Sequence, residues 1–117
     1  MQKSSAPSPY ILVGLLFCGK CGAKLAYVKQ EHYTKIVCHS TRKSRPHLIV
    51  DPNCKSPRLR AINIEETVVS ELFARVDGIK DSWKEMDAEE KRIALRSRIE
   101  KIVVTDGDIN IHWQQSQ

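Results

Sequence analysis

The residues best suited to chemistry are four cysteines. Cys18 and Cys21 form a Cys-Gly-Lys-Cys-Gly knuckle that ends at Gly22. Two thiolates separated by two residues can grip one metal ion from a tight turn. A glycine after the second cysteine lets the backbone take a positive φ, so that its amides approach the sulfurs. Such hydrogen bonds offset the negative charge of a thiolate-rich site. Cys38 follows after 16 intervening residues, a workable distance to the second half of a four-ligand zinc site. Cys54 comes only after 15 more, where a compact second knuckle would have two. A loop of that size can still fold back, because closure cost rises slowly with length. His39 and His47 are the alternatives for the fourth position. Cys54 is the first choice, since it uses all four cysteines and a soft ligand set favours thiolate.

Other uses of four cysteines are open to comparison. Two disulfides would suit an exported chain, but the polar start MQKSSAPSPY lacks the layout of a signal peptide. The expectation is therefore a cytoplasmic location, where thiols stay reduced and clusters of them bind metal. A redox-active Cys-x-x-Cys would need a βαβ context, and the pattern here is different. Iron in a four-thiolate site is chemically possible; zinc is the better choice in a chain with no sign of electron-transfer partners. A site with four protein ligands leaves no open position, so its expected role is structural rather than catalytic.

Behind these residues stand the elements that must position them. The apolar run from Tyr10 to Phe17 enters the first knuckle and reads as a buried strand; it is too short to span a bilayer. Lys24–Lys29 reads as its hairpin partner. Tyr33–Cys38 alternates and is β-branched, which predicts a third strand. Residues 39–60 read as a basic loop, with His47–Val50 as a short strand within it. Asn63 and Glu66 have capping-box spacing, ahead of an apolar helical face of Ile64, Val68, Val69, Leu72, Phe73 and Val76. Asp77-Gly78 closes that helix. A second helix is expected from Asp87, with Glu90 three positions on and Ile93, Leu95, Ile99 and Ile102 on its buried side. Asp106-Gly107, a pair suited to a type I′ turn, joins Val103–Thr105 to Ile109–Trp113 as a hairpin. Ile109, Ile111 and Trp113 fall on one face, toward the helix face of Val68, Leu72 and Val76. Trp83 and Trp113 are expected in the core and His112 outside it.

At 117 residues with only 6% aromatics, the chain has the size of one domain with a thin core, which favours a staple such as a metal. Its net charge of +5 favours an anionic partner, most commonly nucleic acid. The excess is local. From Lys20 to Arg60 there are ten bases against two acids, Glu31 and Asp51; the rest of the chain is nearly balanced. Arg42, Lys43 and Arg45 lie between Cys38 and Cys54, with Lys55, Arg58 and Arg60 just beyond. A metal fixing both ends of that loop would lower the ordering cost of binding.

The order of these features is specific: Leu15-Leu16-Phe17-Cys18-Gly19-Lys20-Cys21-Gly22, a strand, Cys38, a basic loop, Cys54, then Ile64-Glu-Glu-Thr-Val-Val69, a second helix and a closing hairpin. It resembles the zinc β-ribbon region of large serine recombinases, the phage integrases and transposon resolvases, over about residues 10 to 113. The resemblance implies that Cys18, Cys21, Cys38 and Cys54 hold one zinc ion. It further implies double-stranded DNA of an attachment half-site as partner, with a serine catalytic domain elsewhere in the parent protein. No serine of this chain stands in the context of that nucleophile, so no catalytic residue is expected. Family members usually insert a long coiled coil after the first helix, and here only about Asp77 to Ser82 occupies that place. Either the chain is a short form or the insertion has been removed, and self-association through a coiled coil is not supported.

The expected fold is α+β: a small four-cysteine zinc β-ribbon followed by two helices and a C-terminal β-hairpin. Residues 1–9 are expected as a flexible linker, 10–60 as the ribbon with its basic loop, 61–113 as the helix–helix–hairpin part, and 114–117 as a tail. Lys20, Arg42, Lys43, Arg45, Lys55, Arg58 and Arg60 are the candidate DNA contacts, and Arg42 and Arg45 could also reach guanine edges. An adaptor that binds protein instead of DNA is the competing function; it would leave Val68, Leu72 and Phe73 exposed. An enzyme working through the metal or Cys21 is the third, and lacks both an open coordination position and a paired acid and base.

Overall fold

The computed structural model describes residues 10–42 and 46–114. The expected linker at 1–9, Lys43, Ser44 and Arg45, and residues 115–117 of the expected tail lie outside the described residues. The described elements run β1 (Leu16–Cys18), β2 (Leu25–Lys29), β3 (Thr34–Cys38), β4 (Leu59–Arg60), α1 (Ala61–Arg75), α2 (Ile79–Trp83), α3 (Ala88–Arg98), β5 (Ile99–Thr105) and β6 (Asp108–Trp113). This is the expected α+β order, with cysteine-bearing strands first, then helices, then a hairpin. None of the described helices is long and apolar enough to cross a membrane.

The strands form two sheets, β2-β3-β4 and β1-β5-β6. The second was not anticipated. β1 leaves the ribbon and pairs in parallel with β5, Leu16 opposite Ile102 and Cys18 opposite Val104. It meets its expected partner only at one bridge, Phe17 to Lys24. The strand is also shorter than expected. Residues 11–15 form turns, held by Val13 N–H to Tyr10 O at 3.2 Å and Leu15 N–H to Leu12 O at 3.0 Å. Gly14 has φ +86°, a left-handed conformation that breaks an extended run.

Helix α1 lies against both sheets, packing on β3, β4 and β6. Its Ala61, Ile64, Val68 and Leu72 are buried at the three- and four-residue steps of one face. They share a core with Leu12, Leu16, Ile36, Trp83, Leu95, Ile99 and Ile102, and Ile109, Ile111 and Trp113 of β6 pack against it. The expected capping box at Asn63 does not form. The helix starts three residues earlier, directly from β4, with Arg60 at its cap and no side-chain cap bond. Continuity with a paired strand replaces the local signal. The second expected box does form: Glu90 N–H donates to Asp87 Oδ1 at 2.8 Å, and Asp87 N–H to Glu90 Oε1 at 3.0 Å.

Helix α3 ends at Arg98, so Ile99 and Ile102 belong to β5 rather than to the helix. Ile93 points outward and is 59% exposed. Ile99 and Ile102, three apart, would face opposite sides of a regular strand. An irregularity in pairing between Ile99 and Lys101 inserts one residue and turns both inward. The short helix α2 fills the stretch after Gly78, whose φ is +84°. Asp106 and Gly107 both have positive φ, 51° and 93°, as a type I′ turn requires. The expected strand at His47–Val50 is instead a short 3-10 turn over Pro46–Leu48.

Candidate metal centre and nucleic-acid interface

The four cysteine sulfurs lie within 4.8 Å of one another. Cys18 Sγ is 3.8 Å from Cys54 Sγ, Cys21 Sγ is 3.5 Å from Cys38 Sγ, and Cys38 Sγ is 4.0 Å from Cys54 Sγ. A tetrahedral ion with Zn–S bonds near 2.3 Å would place its sulfurs about 3.8 Å apart. The cluster thus fits one metal ion. Among the described residues it contains neither histidine considered as a fourth ligand. His39 lines a hollow beside β2, and His47 is exposed in the Pro46–Leu48 turn.

Local backbone explains the convergence. At the first knuckle Gly22 N–H donates to Cys18 O at 2.8 Å, a turn that Gly22 permits with φ +84°. Lys20 N–H then points at Cys18 Sγ, 3.4 Å away. The second half repeats the device without a second nearby cysteine: Ser40 N–H lies 3.4 Å from Cys38 Sγ. Cys54 is delivered by a separate turn, in which Cys54 N–H donates to Asp51 O at 3.0 Å and Asn53 N–H to Asp51 Oδ1 at 2.9 Å.

Ser40 ties this turn to the cluster. It is the buried polar residue of the described chain, 4% exposed. Its Oγ accepts from Val50 N–H at 3.0 Å and Asp51 N–H at 3.1 Å. Those two donors leave its hydroxyl hydrogen for Cys21 Sγ, 3.2 Å away. Ser56 Oγ stands 2.8 Å from Cys18 Sγ. Sequence reasoning missed both serines. Their positions, two residues after Cys38 and two after Cys54, are the signal that could have found them.

As free thiols the four are uneven. Burial opposes ionisation of Cys18, but Ser56, the Lys20 and Cys21 amides and Cys54 together outweigh it and bring its pKa down to about 7. Burial pushes the Cys38 thiol up to about 12, with the Ser40 amide acting against it. Of the two, Cys18 is thus the easier thiol to ionise and Cys38 the harder.

The knuckle is pinned to the far end of the chain. Gly19 N–H donates to Val104 O at 2.8 Å, and a Cβ on Gly19 would overlap Thr105 Oγ1. Lys20 Nζ forms an ion pair with Asp106 Oδ1 at 2.9 Å, and that carboxylate raises the lysine pKa.

The candidate DNA contacts are spread unevenly. Lys20 is engaged by Asp106 as described. Arg42 is half-buried and lines a hollow together with Lys24 and His39. Lys55 and Arg58 are exposed. Arg60 stacks its guanidinium 4.4 Å above the Tyr33 ring. Lys43 and Arg45 lie outside the described residues.

A four-cysteine β-ribbon carried on a helix-and-hairpin body is the class that the fold and site define. The recombinase zinc beta ribbon domain model matches residues 11–73, more than half of the sequence. The chain belongs to that family. No curated protein matches by sequence. Among solved structures, a chain from a study of the sequence requirements of the Listeria innocua prophage attP site superposes with TM-score 0.67 at 23% identity. The match covers 96% of this chain and 45% of that one. A chain from the crystal structure of an LSR–DNA complex, a large serine recombinase, superposes with TM-score 0.64 at 20% identity, over 96% of this chain and 52% of that one. The protein thus shares its fold with large serine recombinase structures and spans about half the length of those chains.

Proposed function

We propose that the chain is the zinc-ribbon DNA-binding module of a serine site-specific recombinase, and that it binds attachment half-sites during integration or excision. Family membership over residues 11–73 carries this reading. The LSR–DNA complex among its structural neighbours supports it. One zinc ion held by Cys18, Cys21, Cys38 and Cys54 acts structurally, since four protein sulfurs complete its coordination. Zinc suits the all-thiolate, redox-silent set better than a hard cation would. The catalytic serine domain belongs to the parent protein, and this chain contributes affinity and placement. Arg42, Lys43, Arg45, Lys55, Arg58 and Arg60 supply phosphate contacts around the metal-tied loop, and Lys20 joins them only if it leaves Asp106.

The adaptor reading asks for an exposed apolar face at Val68, Leu72 and Phe73. Val68 and Leu72 are fully buried, and Phe73 packs edge-on against Trp83, with ring centroids 5.8 Å apart. That leaves the DNA reading ahead.

Fluorescence anisotropy with random duplex DNA across a salt series, repeated after chelation, tests it. Binding should weaken steeply with salt and vanish with the metal. Feeble binding indifferent to both would sink the reading and turn attention to protein partners.

A further inference from the structure

We propose that the hollow between the 11–15 turns and the start of β2 is a phosphate pocket. In it Lys24, Arg42 and Arg96 grip a backbone phosphodiester of duplex DNA. The proposal rests on the DNA-module reading and adds to it a contact from the helical half of the chain.

The hollow measures about 430 Å³ and is lined by Tyr10, Val13, Gly14, Lys24, His39 and Arg42, with apolar side chains at its floor. Among the described residues, two cations and a histidine line it and no carboxylate does. Arg96 reaches the rim from α3. Its Nη2 donates to Val13 O at 2.9 Å, and the same nitrogen stands 3.1 Å from where a Gly14 Cβ would lie. A guanidinium has five N–H donors, so one bond to Val13 fixes its position and leaves most of its capacity for an anion. Lys24, just before β2, and Arg42, after Cys38, thus line one depression whose rim carries a third cation, Arg96 of α3, although their sequence positions are far apart.

The walls are held in place before any ligand arrives. His39 N–H donates to Lys24 O at 3.0 Å and Arg42 N–H to His39 O at 3.1 Å. The 3-10 turn His39–Thr41 that presents Arg42 is capped by Cys38, whose sulfur accepts from Ser40 N–H. The metal cluster therefore fixes the turn that carries Arg42. A preset cationic site loses little ordering entropy on binding, and a concave one focuses the field of its charges.

The test uses the full zinc-loaded chain, a short random duplex and a salt series, with Lys80→Gln on exposed α2 as control. Because the three cations share one phosphate, Lys24→Gln/Arg42→Gln should lower the slope of log affinity against log salt by about one, and Arg96→Gln by part of that. Arg96→Lys should keep the slope, because charge alone sets it, even though the bond to Val13 is changed. Thermal melts of each variant separate lost contacts from lost folding. Wild-type slopes in both glutamine variants, with wild-type protein binding normally, would overturn the pocket and leave the DNA reading standing. Wild-type protein that fails to bind duplex would sink that reading, and the pocket with it. Inorganic phosphate supplies the last arm: amide shifts of Gly14, Lys24 and Arg42 that respond to it while the duplex slopes stay unchanged would assign the hollow to free phosphate and overturn the DNA contact.

Discussion

Gly19 and Gly22 sit on either side of Cys21 in one motif, yet they are glycines for different reasons. Gly22 has φ +84° and nothing within 4 Å of a would-be Cβ, so alanine there meets only backbone strain, about 1–2 kcal/mol. Gly19 has no positive φ, but its Cβ would collide with Thr105 and crowd Val103. Alanine at 19 must push β5 away, an overpacking cost of about 1–3 kcal/mol that also loosens the Gly19–Val104 bond. In urea unfolding of the zinc-loaded chain, Gly19→Ala should be the more destabilising, and its amide shifts should spread into Val103–Thr105. Gly22→Ala shifts should stay within the knuckle. Equal effects confined to the knuckle would contradict the role given to Thr105. The Cys18–Cys21 pair and Gly22 were legible because a knuckle is local. Gly19 was not, since its constraint comes from a residue at the other end of the sequence. Ser40 lay hidden likewise: its function depends on a turn at Val50–Asp51 that carries no strong sequence mark.

Among the elements, the one most exposed to pH is the junction of the 11–15 turns, β2 and α1. Tyr27 donates to Glu65 Oε2 at 2.8 Å and accepts from Leu12 N–H at 3.2 Å, and the Tyr10 ring stacks on it at 4.4 Å. Burial raises the Glu65 pKa, against the bonds from Tyr27 and Ile11 N–H, and burial with the facing carboxylate raises that of Tyr27. For Glu65 the sign follows from the raised folded value. Its contribution to stability is fully present below the ordinary carboxylate range and is lost as pH rises through the raised value. Glu65→Gln keeps an acceptor for Tyr27 without a charge to desolvate. Melting temperature measured from acid to neutral pH should fall less steeply for this variant, which should be at least as stable as wild type at neutrality. A steeper fall would show that the ionised carboxylate is favoured.

The helices show where sequence patterns succeed and fail at this scale. Asp87 and Glu90 were read correctly because nothing outside α3 competes with their box. Asn63 was overruled by β4, which feeds α1 directly. Leu95, Ile99 and Ile102 fit one helical repeat, yet pairing with β1 and β6 takes Ile99 and Ile102 into β5, where the irregularity after Ile99 turns both inward.

For the whole molecule the question is what the metal holds. The main core joins residues of both sheets and all three helices, whereas the cluster around Cys18, Ala23 and Cys38 is small and separate. Chelation should therefore free the knuckles first. Amide exchange should accelerate at Lys20 and Ser40 well before Leu95 and Ile102, and helical circular dichroism should outlast the metal at low temperature. Simultaneous loss of all protection would mean that the core cannot stand without the ion. Metal affinity should also fall on acidification, because each thiol must lose its proton to bind. Competition with a colorimetric chelator across pH measures this; an affinity indifferent to pH would exclude thiolate ligation.

The parallel pairing of β1 with β5 also has a meaning in time. A ribosome makes the complete cysteine set once it passes Cys54, so a nascent chain can capture its ion while Leu16–Cys18 still has one edge bare. That edge closes only after synthesis has run through Thr105. Within these residues, order of synthesis therefore lets the cysteine cluster assemble before β1 gains its partner β5.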